Sequence, residues 1–274
     1  MKDFEHLRPK TVAEARDALD AQSDGSFLAG GQTLIPVLKQ GLAMPSGLID
    51  LSAIKDLQGI TVADGSVSIG AMTTHAQVAA SNDVQKAIPA LAGLAGGIGD
   101  PQVRNRGTIG GSLANNDPSA DYPAVVLALS AAVVTDKRNI PADEYFTGMF
   151  ETALDEGEMI TGVEFPVPGR AAYAKFPNPA SRYAMAGVFV AQAGGAAKGT
   201  VRVAVTGAGP GVFRATEMET ALDKDFQAGA LEGITLPEAD LLSDIHASAA
   251  YRAHLIAVMA GRAVDAANGV GGAP

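Results

Sequence analysis

The amino-acid sequence predicts an α+β chain whose two parts meet near Arg170. Three observations lead there. Apolar periodicity runs almost without a break through 274 residues, which argues against disorder despite 32 glycines. In the first part, short strand patterns and helical patterns follow one another with glycine turns between them. In the second, "YAMAGVFVAQAGG" and "TVRVAVTGAGPG" read as adjacent antiparallel strands, and the Pro- and Gly-punctuated stretch "VPGRAAYAKFPNPAS" sets them apart from what precedes.

From the N-terminus, "FEHLRP" is a short strand and "TVAEARDALDA" a helix. Thr11 and Glu14 have the spacing of a capping box, and Val12, Ala15, Ala18 and Leu19 form an apolar stripe. "SFLAGG" is a small strand running into paired glycines, and "QTLIPVLKQ" a helical turn interrupted by Pro36. "GLIDLSAI" is a buried strand. "GITVADGSVSIGAM" is a hairpin turning at Asp64-Gly65, with Ile60, Val62, Val67 and Ile69 alternating. "TTHAQVAAS" and "VQKAIPALAGLAG" are helical, and so is the apolar run Tyr122 to Leu129 that follows a second glycine-rich loop. "AAVVTD" and "MITGVEFPVP" are strands. After the antiparallel pair, helices are expected at "ATEMETALD" and "SAAYRAHLIAVMAGRAVDAA", then a short "NGVGGAP" tail.

Composition narrows the function. A formal net charge of −10 is repelled by phosphate backbones and anionic lipid, so nucleic-acid and membrane-surface roles are poor expectations. Cysteine is absent, which removes disulfides, thiolate catalysis, zinc–sulfur sites and any iron–sulfur cluster held by this chain. Redox chemistry here needs a borrowed cofactor. No run approaches the roughly 18 apolar residues of a membrane span, and "MKDFEHLRPK" has no apolar signal-peptide core. The expected location is cytoplasmic.

Two glycine segments carry the chemistry. "LAGGQTL" (28–34) and "GTIGGSLANN" (107–116) each place paired glycines where the backbone can approach an anion and turn successive N–H groups inward, as a diphosphate requires. Two such nests suggest a dinucleotide wrapped from two sides. Thr108, Ser112, Asn115 and Asn116 add uncharged hydrogen-bonding groups, and Asp121 is placed to accept from ribose hydroxyls. Neither segment is a P-loop or a Rossmann fingerprint, and "GLAGGIG" (93–99) ends a helix. Arg104 and Arg106 flank the second segment and are open to three uses: orienting it, meeting a partner, or pairing with local acids. His246 and His254 lie eight apart in a region expected to be helical, without the carboxylate that would complete a metal site. "DPSAD" and "DEGE" do not follow the EF-hand pattern, and Ser112 is not in a nucleophile elbow.

With "AGGQTLIPVLK" and "TIGGSLANNDPSADYP" the sequence resembles the FAD-binding medium subunit of molybdenum hydroxylases, in the xanthine dehydrogenase and carbon monoxide dehydrogenase superfamily. "VRVAVTGAGPGVFRATEME" and "SDIHASAAYRAHLIAVMAGRAV" extend the likeness to the family's C-terminal domain. The resemblance implies a PCMH-type, vanillyl-alcohol-oxidase-like FAD-binding domain over 1–170, with α/β lobes at 1–54 and 55–170. A small domain of antiparallel strands and helices over 171–274 completes it. It places Ala29, Gly30, Gly31, Gln32, Thr33 and Leu34 around the pyrophosphate, joined by Thr108, Ile109, Gly110, Gly111 and Ser112, with Asn115 close by. Asp121 falls on the ribose or adenine side, Ile98 over the isoalloxazine, Lys175 near the flavin's pyrimidine end and Tyr183 beside the ring.

It further implies an oxidoreductase subunit that passes electrons from a small subunit's two-iron clusters through FAD to quinone, NAD or oxygen. Substrate would be oxidised in a large molybdopterin subunit, in a dimer of heterotrimers. The rival readings are a stand-alone flavin-dependent oxidoreductase and a flavin-less structural subunit.

Overall fold

The computed structural model describes residues 3–194 and 200–270; Gly195, at the end of one predicted strand run, and the last four residues of the tail lie outside them. The chain begins with β1 (Glu5–Leu7), α1 (Val12–Asp20), β2 (Gly25–Leu28), α2 (Leu34–Lys39) and β3 (Gly47–Asp50), which give a three-stranded parallel sheet in the order β1-β3-β2. Thr11 caps α1 by accepting from the Glu14 amide at 3.1 Å, while the Glu14 carboxylate reaches the Lys10 amide, one residue before the box position. Pro36 does not interrupt α2. It sits in the first turn, where no intrahelical N–H is due. The predicted strand over "GLIDLSAI" stops at Asp50, whose side chain accepts from the Ser52 amide and turns Leu51–Ala53 into a 3₁₀ turn.

Next come β4 (Ile60–Ala63), β5 (Ser66–Gly70), α3 (His75–Ala80), α4 (Asn82–Ala87), α5 (Pro89–Gly96), α6 (Pro101–Arg104), α7 (Ile109–Asn115) and α8 (Tyr122–Ala128). The hairpin turns at Asp64 and Gly65, both at positive φ, as a two-residue turn needs. Val67 and Ile69 are buried, whereas Val62 is exposed on the outer strand. Pro89 divides the helical run predicted over 84–96, because the residue before a proline is driven out of the helical region; Ile88 has φ −139° and ψ 73°. The second glycine segment is no loop and follows no strand. Thr108 caps α7, and Gly110 and Gly111 form its first turn.

The remainder of this region is β6 (Ala132–Thr135), β7 (Asn139–Pro141), α9 (Ala142–Tyr145), β8 (Phe146–Gly148), β9 (Glu151–Thr152) and β10 (Ile160–Pro166). β10 lies at the centre of a five-stranded antiparallel sheet, β4-β5-β10-β6-β7, and β8 pairs with β9. β11 (Arg170–Pro177), β12 (Ala184–Gln192), β13 (Val201–Thr206) and β14 (Phe213–Arg214) then form a four-stranded antiparallel sheet followed by α10 (Thr216–Lys224) and α11 (Ala249–Ala267).

β12 shows how this last sheet is held. Its alternate residues point to opposite faces: Phe189 and Ala191 join the core containing α8, while Val188 and Val190 join the core under α11. A strand covered on both faces reads as a continuous apolar run, which is what "AMAGVFVA" is. α8 is buried along its whole length and packs against β12 and β13. It fastens the last sheet to the elements that carry the glycine segments.

Candidate functional site

A cleft of about 540 Å³ opens where β2 meets α7. Ala29 to Leu34 line one wall, and Gly107, Thr108 and Gly110 to Ser112 line the other with Ala114 and Asn115. Ile98, Gly99 and Val103 close one side, and Ser181, Arg182 and Tyr183 reach in from the turn between β11 and β12.

The glycines bring the two segments into contact. A Cβ on Gly30 would stand 2.1 Å from the Arg106 carbonyl oxygen and 2.8 Å from the Gly107 Cα. A Cβ on Gly110 would stand 2.5 Å from that of Ala71. The space a side chain would need is filled by the facing segment's backbone at Gly30 and by Ala71 at Gly110, so packing within the chain already requires these two glycines, which also line the cleft. Gly31 is needed for a different reason, its φ of +71°.

The two segments also differ in what they offer an anion. The amides of Ile109, Gly110 and Gly111 are committed to the Thr73 carbonyl, the Ala71 carbonyl and the Thr108 hydroxyl, at 3.1, 2.9 and 3.1 Å. The amides of Gly31, Gln32, Thr33 and Leu34 have no acceptor among the described residues. They belong to residues that line the cleft and lead into α2, so four consecutive donors are left unused by the described residues there. The expected second nest is absent because the first amides of α7 are taken by the Thr73 and Ala71 carbonyls and the Thr108 cap. That segment contributes side chains such as Ser112 and Asn115.

Ile109 and Lys175, both expected at the cofactor, do not line the cleft. Ile109 is fully buried in the core. Lys175 points behind the wall, donating to the Gly97 carbonyl at 3.0 Å and pairing with Asp121 at 2.9 Å. Asp121 touches the cleft but is only 5% exposed, and it also accepts from the Tyr173 hydroxyl at 2.6 Å. Its carboxylate serves this internal network, which departs from the expected bond to a ribose. Burial pushes the Asp121 carboxyl up, against the opposing pull of Lys175 and Tyr173. Tyr183 is half exposed on the cleft rim, its hydroxyl pushed up by burial and by Asp117 and Asp121.

Arg104 takes none of its three expected uses among the described residues. Its guanidinium donates to the carbonyls of Ile98 and Gly99 at 3.0 Å each, fixing the turn that carries Ile98. Among the described residues neither Arg104 nor Arg106 forms an ion pair. His246 precedes α11, so it does not share a helical face with His254, and the described residues hold no cluster suited to a metal. No described helix is long and apolar enough to cross a membrane.

Sequence reading missed Arg182 and His75. Arg182 has φ +64° in the turn that Asn178-Pro179 opens; the sequence marks the turn but not the residue at positive φ. His75 had a signal: Thr74 and Gln77 form a full capping box, which places the histidine in the first turn of α3, beside Gly107.

The fold and this cleft, with a row of amides that lack acceptors among the described residues, are those of a nucleotide-binding class of protein. Comparison with known proteins makes the class specific. Residues 2–168 match the model of the FAD binding domain in molybdopterin dehydrogenase, and residues 171–267 that of the CO dehydrogenase flavoprotein C-terminal domain. The carbon monoxide dehydrogenase medium chain of Hydrogenophaga pseudoflava is 36% identical over 96% of both chains. The nicotine 6-hydroxylase medium subunit of Paenarthrobacter nicotinovorans is 35% identical over 92% of both. A chain in the crystal structure of quinoline 2-oxidoreductase from Pseudomonas putida 86 superposes with a TM-score of 0.87 at 29% identity, covering 97% of this chain and 98% of that one. This chain belongs to the FAD-binding medium subunits of the molybdenum hydroxylases, and it is an oxidoreductase subunit that works in a complex.

Proposed function

We propose that this chain takes electrons from two-iron clusters in a small partner subunit and passes them through FAD to quinone, NAD or oxygen. The observation that carries the reading is the row of open amides at Gly31 to Leu34, set in a cleft of a chain similar along its length to medium subunits of carbon monoxide dehydrogenase. When bound, FAD supplies the redox chemistry, because it exchanges electrons singly or in pairs. The protein's own work is binding and orientation, which needs no acid–base pair. In this reading Gly31 to Leu34 hold the diphosphate, Ser112 and Asn115 serve its polar neighbours, and Ile98 and Tyr183 flank the flavin.

The same reading gives a FAD domain over 1–170 and a second domain over 171–274, a cytoplasmic location, and assembly as a dimer of heterotrimers. Relatives named for carbon monoxide and for nicotine share this subunit type, so the substrate is selected in the large molybdopterin subunit. The test is to tag the chain in its host and assay what co-purifies. FAD, molybdenum and iron–sulfur clusters recovered together, with acceptor reduction lost when the flavin is stripped, would support the reading. Recovery of the chain alone with substrate turnover would refute it in favour of a stand-alone oxidoreductase.

A further inference from the structure

His75 is 5% exposed and lines the cleft, and its two ring nitrogens have different surroundings. Nδ1 is sealed from solvent without a partner among the described residues. The hydroxyl of Tyr122 is also sealed and unpartnered, and the two rings lie 5.3 Å apart. Nε2 also makes no hydrogen bond to the described residues but is not sealed as Nδ1 is, and the residue lines the cleft. A Cβ on Gly107 would fall 2.5 Å from Nε2, so glycine at 107 is what lets the imidazole lie against the cleft wall. A buried imidazole with an uncommitted nitrogen at a ligand cleft is a hydrogen-bonding group whose partner comes from outside the chain.

We propose that His75 is a contact of the bound cofactor, with Nε2 hydrogen-bonding a polar atom of the ribityl–isoalloxazine half of FAD. This rests on FAD occupying the cleft. Two observations favour that half over the diphosphate. The diphosphate already has the open amides of Gly31 to Leu34. Burial, with Arg104 nearby, pushes the imidazole down to about 4, so it is uncharged at neutral pH. An uncharged donor suits hydroxyls and flavin carbonyls, whereas a diphosphate would favour the imidazolium.

The test is FAD titration of the full chain and of His75→Leu and His75→Gln, read by flavin absorbance and fluorescence, with the Tm of each apo protein measured alongside. Losing one hydrogen bond should weaken FAD binding in His75→Leu by about three- to tenfold and shift the bound flavin spectrum. His75→Gln should restore most of both, at unchanged apo Tm. Parental affinity and spectrum in His75→Leu would overturn the proposal. So would equal losses in both variants, or a fall in apo Tm that accounts for the loss, since each marks a structural role. A parent chain that takes up no FAD would overturn the cofactor reading as well, which separates the two failures.

Discussion

Gly30→Ala tests whether the cleft depends on the two glycine segments touching. The new methyl would stand 2.1 Å from the Arg106 carbonyl oxygen, more than an ångström inside ordinary van der Waals contact, and the obstacle is backbone. No rotamer relieves it; the strand end at Ala29 to Gly31 must part from Arg106–Gly107. Overpacking of this kind costs about 1–3 kcal/mol. The parting moves the open amides of Gly31 to Leu34 away from Thr108 and Ser112, so the cost falls on the geometry that holds the diphosphate. If that cost falls on binding, the FAD dissociation constant should rise by about five- to 150-fold. Gly93→Ala is the control, because it lies within α5 with nothing within 4 Å of a Cβ, and it should stabilise by about 0.4–1 kcal/mol. Urea unfolding and FAD titration of both variants give the answer. If Gly30→Ala matches its parent in stability and in FAD affinity, the segments do not depend on each other and the argument fails.

Two further predictions concern buried charge. Lys175→Met strands the Asp121 carboxylate behind the cleft wall and should lower apo stability by about 3 kcal/mol in urea unfolding. The double variant with Asp121→Asn should recover much of that, and no recovery would show that the pair is not the cause. Glu158, which also lines the cleft, is held down at about 2, chiefly by the Arg138 guanidinium, helped by the Asp155 amide and the Thr135 hydroxyl against the effect of burial. Its folded value lies below the unfolded one, so its contribution is complete above about pH 4.5 and is lost as pH falls toward 2. Glu158→Gln should be less stable than its parent at neutral pH and should lose less stability on acidification through that window. Parallel acid-unfolding curves would contradict this.

Both glycine segments were legible because paired glycines after an apolar strand, or among small amides, are rare enough to mark a place where backbones approach closely. Their partners were not legible. Gly30 and Arg106 are far apart in sequence, and only the packing of β2 against the α6–α7 connection brings one onto the other. The nest expected at 107–116 failed on hydrogen-bond accounting: Thr108 starts a helix there, and Ala71 and Thr73 take the amides that a loop would have left free. Lys175 was expected to act on the cofactor directly. On β11 it faces α5 and the Asp121 end of α8, because a strand residue's side is set by the register of its sheet.

By itself, the sequence determined what periodicity and local chemistry control: the order of strands and helices, the turn at Asp64-Gly65, the cap at Thr11, and a cysteine-free chain that must borrow its redox centre. The tertiary structure alone decided which amides are free, which carboxylate is already paired, and which nitrogen of His75 is sealed from solvent. The physical reason is that periodicity and capping act over a few neighbouring residues, whereas a donor's availability depends on acceptors that arrive from distant parts of the chain.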